Sequence, residues 1–427
     1  MTAASPTVEQ VTTELGVTER RALRNARIRG AILAAIGLLS LGAATNLMSS
    51  PSTFSFWIDK QGGTPLTIET TAGVLWILTG VAFGGVGLAQ LARGAAFAWR
   101  RWLVLLVALL VMAVFGTLMS GKVANLTGVF RGSLELATPI TLGAFAGILA
   151  ERSGMFNIAI EGKFLIGACT AAVVASVTGN ALVGVLAAAF AGALVGYLLA
   201  WLGIRHNVDQ IIAGVVINIG ALGITNFLFL RVLSKNTELN TPPSIEAIKV
   251  PLLSEIPVLG PILFSGTPYL YFTIALMFFF AYMLFKTKWG LRMRASGEKP
   301  SAAGTVGIDV LRIRYQAMIM AGIVAGIAGS YLSLSSAGSF QMNMSAGRGF
   351  IALAAVIFGA WHPIYAFGAA LVFGFSDATQ ALMSILGVDV PPQLLNSVPY
   401  IVTIIVVAGV VGRVRGPASA GQPYTQG

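Results

Sequence analysis

The sequence contains very few of the residues that build metal sites, disulfides and soluble surfaces. One cysteine in 427 residues excludes an internal disulfide and a thiolate metal cluster. His206 and His362 are too few and too far apart in the chain for a histidine-based metal site, so we expect no metal. Only 10% of the residues are charged, against about a quarter in soluble domains, which excludes an ordinary soluble protein.

Motifs for nucleotide binding and hydrolysis are also absent from the sequence. It has no G-x-x-x-x-G-K-[ST] phosphate loop, no H-E-x-x-H pair and no Ser/His/Asp arrangement. We therefore expect no catalytic residue and no cofactor bound by this chain. If ATP drives its work, a separate subunit hydrolyses the ATP. The net charge of +11 does not indicate nucleic acid, because the positive residues fall in loops between apolar runs, where they set membrane topology.

Apolar residues make up 56% of the chain and are arranged in long runs. A bilayer-spanning helix needs roughly 20 such residues. The runs lie at 30–48, 70–92, 101–120, 133–150, 158–178, 181–203, 209–231, 269–286, 313–334, 349–361, 364–386 and 397–412. The pattern predicts an all-α polytopic protein of the cell membrane with about 10–12 transmembrane helices. Broken or re-entrant segments are included, because the run at 349–361 is too short to span alone.

The positions of the lysines and arginines predict that both termini are cytoplasmic, since most of the 27 then lie on the inside. Residues 1–29 are a cytoplasmic N-terminal tail that we expect to be disordered. Residues 30–120 hold the N-terminal spans, and 121–412 form the main transmembrane domain, with its largest cytoplasmic loop at 287–312. Residues 413–427 are a Gly/Pro/Ser-rich cytoplasmic tail, also expected to be disordered.

The stretch ERSGMFNIAIEGKFLIGA, residues 151–168, places charged and amide side chains between two apolar runs. A charge near the membrane centre costs at least about 2.5–3.5 kcal/mol, so such residues face a cavity or pair with one another. Ser153 and Gly154 are expected to break the helix. Asn157 and Glu161 are four residues apart and would share one face of a helix. The pattern favours a polar, discontinuous element beside a solute pathway; hydrogen bonds between helices are the alternative.

A second set of polar residues is predicted for the same pathway. Asp209, Gln210 and Asn218 lie on one predicted helix, with Asp209 at its mouth. Gln341 and Asn343 precede the short run at 349–361. For these residues pathway lining and hydrogen bonding between helices are equally open.

The loop at 287–312 is basic at Arg292 and Arg294 and then continues through small residues. This pattern predicts a short amphipathic helix lying on the cytoplasmic face. It is either a loop whose charges set topology or a docking site for a cytoplasmic partner.

Four motifs, in order along residues 130–412, carry a family resemblance. GLRMRASGEKPSAAGTVGIDVLR resembles the cytoplasmic coupling segment of ABC-importer permeases, with Lys299 where that family usually has asparagine. ERSGMFNIAIEGKFLIGA resembles a signature of the nucleoside and simple-sugar permeases within the ribose and branched-chain amino acid superfamily, with Ala159 in place of a glycine. VDQIIAGVVINIGALGIT and GRGFIALAAVIFGAWHP are similar to two further motifs of these permeases. The two spans within 30–92 lie outside the resemblance or match it only loosely.

The resemblance implies a permease subunit of an ABC importer, which moves a nucleoside or simple sugar inward by alternating access. It also implies a cytoplasmic ABC ATPase, a second related permease and an extracytoplasmic solute-binding protein as partners, besides the small-molecule solute and membrane lipid. The residues that would couple to the ATPase are Arg292, Arg294, Gly297, Glu298, Ala302, Ala303 and Gly307.

Two other classes of protein fit the composition. An ion-coupled secondary transporter would use Glu161 or Asp377 as its coupling site. A membrane scaffold or receptor would move no solute.

Overall fold

The computed structural model describes residues 8–56, 66–388, 391, 394, 397 and 416–424. The predicted run at 397–412 therefore lies outside the described residues, apart from Ser397. The chain divides into two compact units. One comprises Met1–Leu126 with Leu382–Asp389, and the other Thr127–Ala381 with Val390–Gly427.

Two long helices, a shorter one and a small sheet make up the N-terminal part. They are α1 (Val8–Leu47), β1 (Pro51–Phe56), β2 (Leu66–Thr71), α2 (Ala72–Arg93), α3 (Leu103–Leu118) and β3 (Val123–Asn125). β1 pairs antiparallel with β2, with Phe54 opposite Ile68, and parallel with β3, with Phe54 opposite Ala124. The three strands were not predicted, because each is short and the pairing of β1 with β3 joins residues far apart in the chain.

The expectation of disordered tails is wrong at both ends of the chain where the structure describes them. Residues 8–29 continue the first spanning helix, since Arg, Ala and Leu in this stretch are good helix formers. Residues 416–424 form turns with hydrogen bonds to other parts of the chain, such as that from Ser419 N to the Gly297 carbonyl at 2.9 Å. A Gly- and Ser-rich composition did not reveal these bonds.

The remaining helices follow from α4 onward, and several of them begin at a capping side chain. They are α4 (Leu126–Arg152), α5 (Ile160–Thr178), α6 (Ala181–Arg205), α7 (Gln210–Leu228), α8 (Leu259–Leu263), α9 (Pro268–Lys286), α10 (Lys288–Glu298), α11 (Pro300–Thr305), α12 (Val310–Tyr331), α13 (Arg348–Phe358) and α14 (Pro363–Ile385). Asn180, Asp209 and Asp309 accept backbone N–H bonds at the starts of α6, α7 and α12.

The prediction of an all-α polytopic membrane protein is confirmed. In the described ranges, nine helices are long and apolar enough to cross a membrane. Two further apolar helices are shorter, Leu105–Leu118 and Arg348–Phe358. The second corresponds to the run predicted to be too short to span, and it has only 11 residues.

Three helices of the larger unit, α5, α6 and α12, approach one another through small residues. A Cβ on Gly192 of α6 would collide with the Gly322 carbonyl of α12, and one on Gly167 of α5 would lie 2.9 Å from the Gly326 Cα. Small residues permit backbones to come this close, which is how helices associate where the solvent is itself apolar. We call these three closely packed helices the frame.

We predict that Gly192→Ala destabilises this frame. The added methyl group overpacks the contact with α12, at a cost of about 1–3 kcal/mol. The matched control is Gly220→Ala on α7, where a Cβ meets no atom within 4 Å. Thermal unfolding in detergent should show a lower midpoint for the first variant and an unchanged or higher one for the second. Equal midpoints would contradict the close packing.

Candidate functional site

The chain between α4 and α5 is irregular, as the sequence predicted. α4 ends at Arg152, Gly154 has φ +93°, and α5 begins at Ile160. Met155 and Asn157 in this segment are fully buried. Irregular backbone at such a place must find hydrogen-bond partners within the protein, because hydrocarbon offers none. We call residues 153–159 the helix break.

Two amide side chains of α7 supply partners to this backbone. Gln210 Oε1 accepts a hydrogen bond from Phe156 N at 2.7 Å. Asn218 Oδ1 accepts from Gly162 N at 2.8 Å, and its Nδ2 donates to the Ile158 carbonyl at 2.9 Å. Both side chains are buried. They brace α7 against the break. The sequence left two roles open for these residues, pathway lining and hydrogen bonding between helices, and the structure shows the hydrogen bonds.

Glu161 joins the start of α5 to the start of α13. Its Oε1 accepts from Ser345 Oγ at 2.5 Å and from Gly347 N at 2.8 Å, and Oε2 accepts from Gly349 N at 2.7 Å. The carboxylate therefore caps the N-terminus of a short helix, where unpaired N–H groups and the helix dipole favour a negative charge. A Cβ on Gly349 would collide with Glu161, so glycine is required there.

Asn157 does not share a helical face with Glu161, which corrects the sequence prediction. It lies in the break, before the first residue of α5, because the helix restarts three residues later than the i,i+4 argument assumed. Its Oδ1 accepts from Lys163 Nζ at 2.5 Å, and its Nδ2 has no partner among the described residues. Lys163 is fully buried. The two residues form a polar pair inside the bundle.

The other residues predicted for the pathway lie at exposed positions. Asp209 is the N-cap of α7 and accepts from Ile211 N and Ile212 N. Gln341 and Asn343 are exposed in the loop before α13. The structure thus gathers Asn157, Glu161, Gln210 and Asn218 around the break and leaves these three outside it. Their role in solute passage stays a prediction.

The segment predicted to couple to an ATPase folds as two short helices, α10 and α11. They are separated at Lys299 because Pro300, which has no N–H, starts the second. Of the predicted coupling residues, the exposed ones are Arg292, Glu298, Ala302 and Gly307. Arg294 is half-buried, and Gly297 and Ala303 are buried. A cavity of about 390 Å³ between α10 and α12 includes Arg292 and Gly307 in its lining.

α10 is bonded directly to the helix break. Ser296 Oγ donates to the Ser153 carbonyl at 3.0 Å, and Gly297 lies so close to the Arg152 carbonyl that a Cβ would collide with it. The turn between α13 and α14 joins at the same point, where Trp361 Nε1 donates to Glu151 Oε2. These contacts were not expected, since the motifs are far apart in sequence. A buried serine next to a glycine within a basic helix gives no distinct sequence signal.

Two arginine side chains lie over the ring of Phe285, beside this junction. The guanidinium carbons of Arg294 and Arg152 lie 5.1 and 5.8 Å from its centroid, and the His362 ring stacks on it at 4.8 Å. Burial, and then the charge of Arg152, lowers the pKa of His362 below its ordinary value. The imidazole is therefore neutral at neutral pH. In the part of the chain that the structure describes, no group of three or more His, Cys, Asp or Glu residues could hold a metal ion.

A bundle of apolar helices around a braced polar break is the architecture of a membrane permease. Residues 129–407 match the family described as "Branched-chain amino acid transport system / permease component". The chain belongs to this family, and it is a multi-pass protein of the plasma membrane. No solved structure is matched.

Three relatives match over nearly their whole length. The guanosine ABC transporter permease protein NupQ of Bacillus subtilis is 39% identical over 304 residues, which cover 69% of this chain and 95% of NupQ. The nucleoside ABC transporter permease protein NupC of Lactococcus lactis is 34% identical, covering 68% of this chain and 94% of NupC. The putative glucose ABC transporter permease protein TsgC13 of Haloferax volcanii is 30% identical, covering 67% and 92%.

We predict that Asn218→Ala weakens the fold around the break. The change leaves Gly162 N–H and the Ile158 carbonyl without a partner, at a cost of about 1–3 kcal/mol each. Asn226→Ala is the control on the same helix, since Asn226 Oδ1 has no partner among the described residues. Thermal unfolding in detergent should lower the midpoint for Asn218→Ala alone. A similar loss for both variants would contradict the bracing role.

Proposed function

We propose that this chain imports a nucleoside as the membrane-spanning subunit of an ABC importer, using alternating access driven by a separate ATPase. The observation that carries the proposal is the bond between α10 and the helix break, through Ser296 and Ser153. It links the segment that resembles the ATPase-coupling region to the polar element inside the bundle. A push on the first would therefore be felt directly by the second.

The surface of α10 and α11 supports an ATPase as the docking partner. Arg292, Glu298 and Ala302 are exposed, while Gly297 and Ala303 pack inward and hold the helices against the bundle. A short helix anchored on one side and exposed on the other can pass a displacement on without unfolding. ATP would be bound and hydrolysed by the partner chain, since this sequence has no phosphate loop.

The proposal of a nucleoside rests on relatives. Two of the three relatives described above carry guanosine or nucleoside in their names, and both match at higher identity than the glucose permease. A simple sugar is the second candidate solute. We also propose the remaining partners from the family: a second related permease that completes the pathway, and an extracytoplasmic solute-binding protein that delivers the solute.

The ion-coupled alternative is disfavoured at one of its two candidate residues. A coupling carboxylate must bind and release a cation during each cycle. Glu161 already accepts three hydrogen bonds at the N-terminus of α13, so releasing it would unpair that helix end. Asp377, in α14, is then the residue at which an ion-coupled transporter would bind its cation. Asp377→Asn should leave ATP-driven uptake intact and would abolish ion-driven uptake.

We predict that Arg292→Glu releases the ATPase from the complex. Arg292 is exposed on α10, and reversing its charge places a carboxylate at the proposed interface. The control is Lys235→Glu, the same reversal at an exposed residue of the segment between α7 and α9. Affinity purification in mild detergent should recover the ATPase and a second permease with the unmodified chain and with Lys235→Glu. Arg292→Glu should lose the ATPase.

The same preparation, reconstituted in liposomes with the solute-binding protein, tests the solute. Labelled guanosine, adenosine, uridine, ribose and glucose are offered with and without ATP. ATP-dependent uptake of nucleosides is the expected result. Uptake driven by an ion gradient without ATP would overturn the proposal in favour of the secondary transporter, and uptake of a sugar alone would overturn the nucleoside assignment.

A further inference from the structure

We propose that residues 416–424 form a strap that ties the coupling helices to the helix break, so that movement of α10 is transmitted to the transmembrane bundle without slippage. This inference rests on the proposed function, in which an ATPase moves α10. The strap is a positioning element, since it touches neither ATP nor solute. It comprises residues 416–424 and joins the end of α10 to the helix break.

One end of the strap is bonded to the C-terminus of α10. Ser419 N donates to the Gly297 carbonyl at 2.9 Å, and Ser419 Oγ donates to the same oxygen at 2.5 Å. Ala418 N donates to Glu298 Oε2 at 3.4 Å. The last carbonyls of a helix have no partner within it. The strap supplies donors to one of them, and Ser419 is only 4% exposed as a result.

The other end is bonded to the break itself. Gly421 N donates to the Gly154 carbonyl at 3.1 Å. Gly421 has φ +79°, so glycine suits the turn. Only Ala420 lies between Ser419 and Gly421. A short length of chain therefore spans from the coupling helix to the break.

A buried arginine holds the strap from the side of α12. Arg314 is 1% exposed, and its Nη1 donates to the Gln422 carbonyl at 3.0 Å. Its guanidinium carbon lies 5.9 Å from the centre of the Tyr424 ring. Its Nε and Nη2 have no acceptor among the described residues. Because a buried guanidinium with so few partners is costly, docking of the strap carbonyl matters to this site.

These contacts make the strap a mechanical link rather than a loose tail. Without it, α10 meets the break through the Ser296 hydrogen bond and the packing of Gly297 against Arg152. The strap adds hydrogen bonds to the Gly297 and Gly154 carbonyls, so a pull on α10 is shared between the two sets of contacts. Loss of the strap should therefore uncouple the two elements without removing the surface that faces the ATPase.

The test compares truncation before Gly416 with Gln422→Ala in the reconstituted complex. Among the described residues, the Gln422 side chain bonds within the strap, to the Ala418 carbonyl, whereas its backbone carbonyl holds Arg314, so this variant is the matched control. We expect truncation to keep the ATPase bound and hydrolysing while solute moved per ATP falls by about fivefold or more, the lower end of typical coupling between sites. Gln422→Ala should keep the full ratio.

Gly421→Pro repeats the test in the full-length chain in case the truncated protein does not fold. Proline removes the N–H that bonds Gly154 and cannot adopt a positive φ. An unchanged ratio of solute to ATP in these variants would overturn the strap, and so would loss of the ATPase from the complex, which would make the segment a docking element. Failure of the unmodified chain to use ATP at all would instead overturn the proposed function.

Discussion

The constraint on which this structure depends is that a helix interrupted inside an apolar bundle leaves backbone groups that only the protein can satisfy. Between α4 and α5 these groups are paired by Gln210 and Asn218, and at the start of α13 they are paired by Glu161. Each pairing joins two elements that are distant in sequence. The polar residues of the bundle thus fix where α5, α7 and α13 sit relative to one another.

The same break lies next to α10, and under the proposed function this proximity gives the polar framework a use beyond stability. The Ser153 carbonyl accepts from α10, and the backbone of the break is bonded to α7 at Phe156 and Ile158. A displacement of α10 thus reaches α7 through a few hydrogen bonds, without crossing a flexible loop. In a permease that opens alternately to the two sides of the membrane, such a connection lets a movement at the cytoplasmic face change the shape of the solute pathway.

How far the sequence could predict this depends on whether a feature is local. The apolar runs up to 364–386, the break at Ser153 and Gly154, and the helical nature of 288–305 follow from composition and turn chemistry, and these are present in the described residues. The strands, the Asn157–Lys163 pair and the ordered strap were not predicted. The pairing of β1 with β3 and the ordered strap depend on partners far away in the chain. The Asn157–Lys163 pair depends on the exact residue at which α5 begins. The spacing of residues in the sequence encodes neither of these. Glu161 was singled out correctly as unusual, but its partners Ser345 and Gly349 could not be deduced from the sequence.

The central claim, that side chains hold the interrupted backbone, is tested most directly by amide hydrogen exchange of the protein in lipid nanodiscs. Phe156 and Gly347 have N–H groups that bond to side chains and lie outside the helices. If Gln210 and Glu161 hold them, these amides should exchange as slowly as those inside α5. Exchange as fast as that of an unprotected backbone amide would show that the break is open and would contradict the claim.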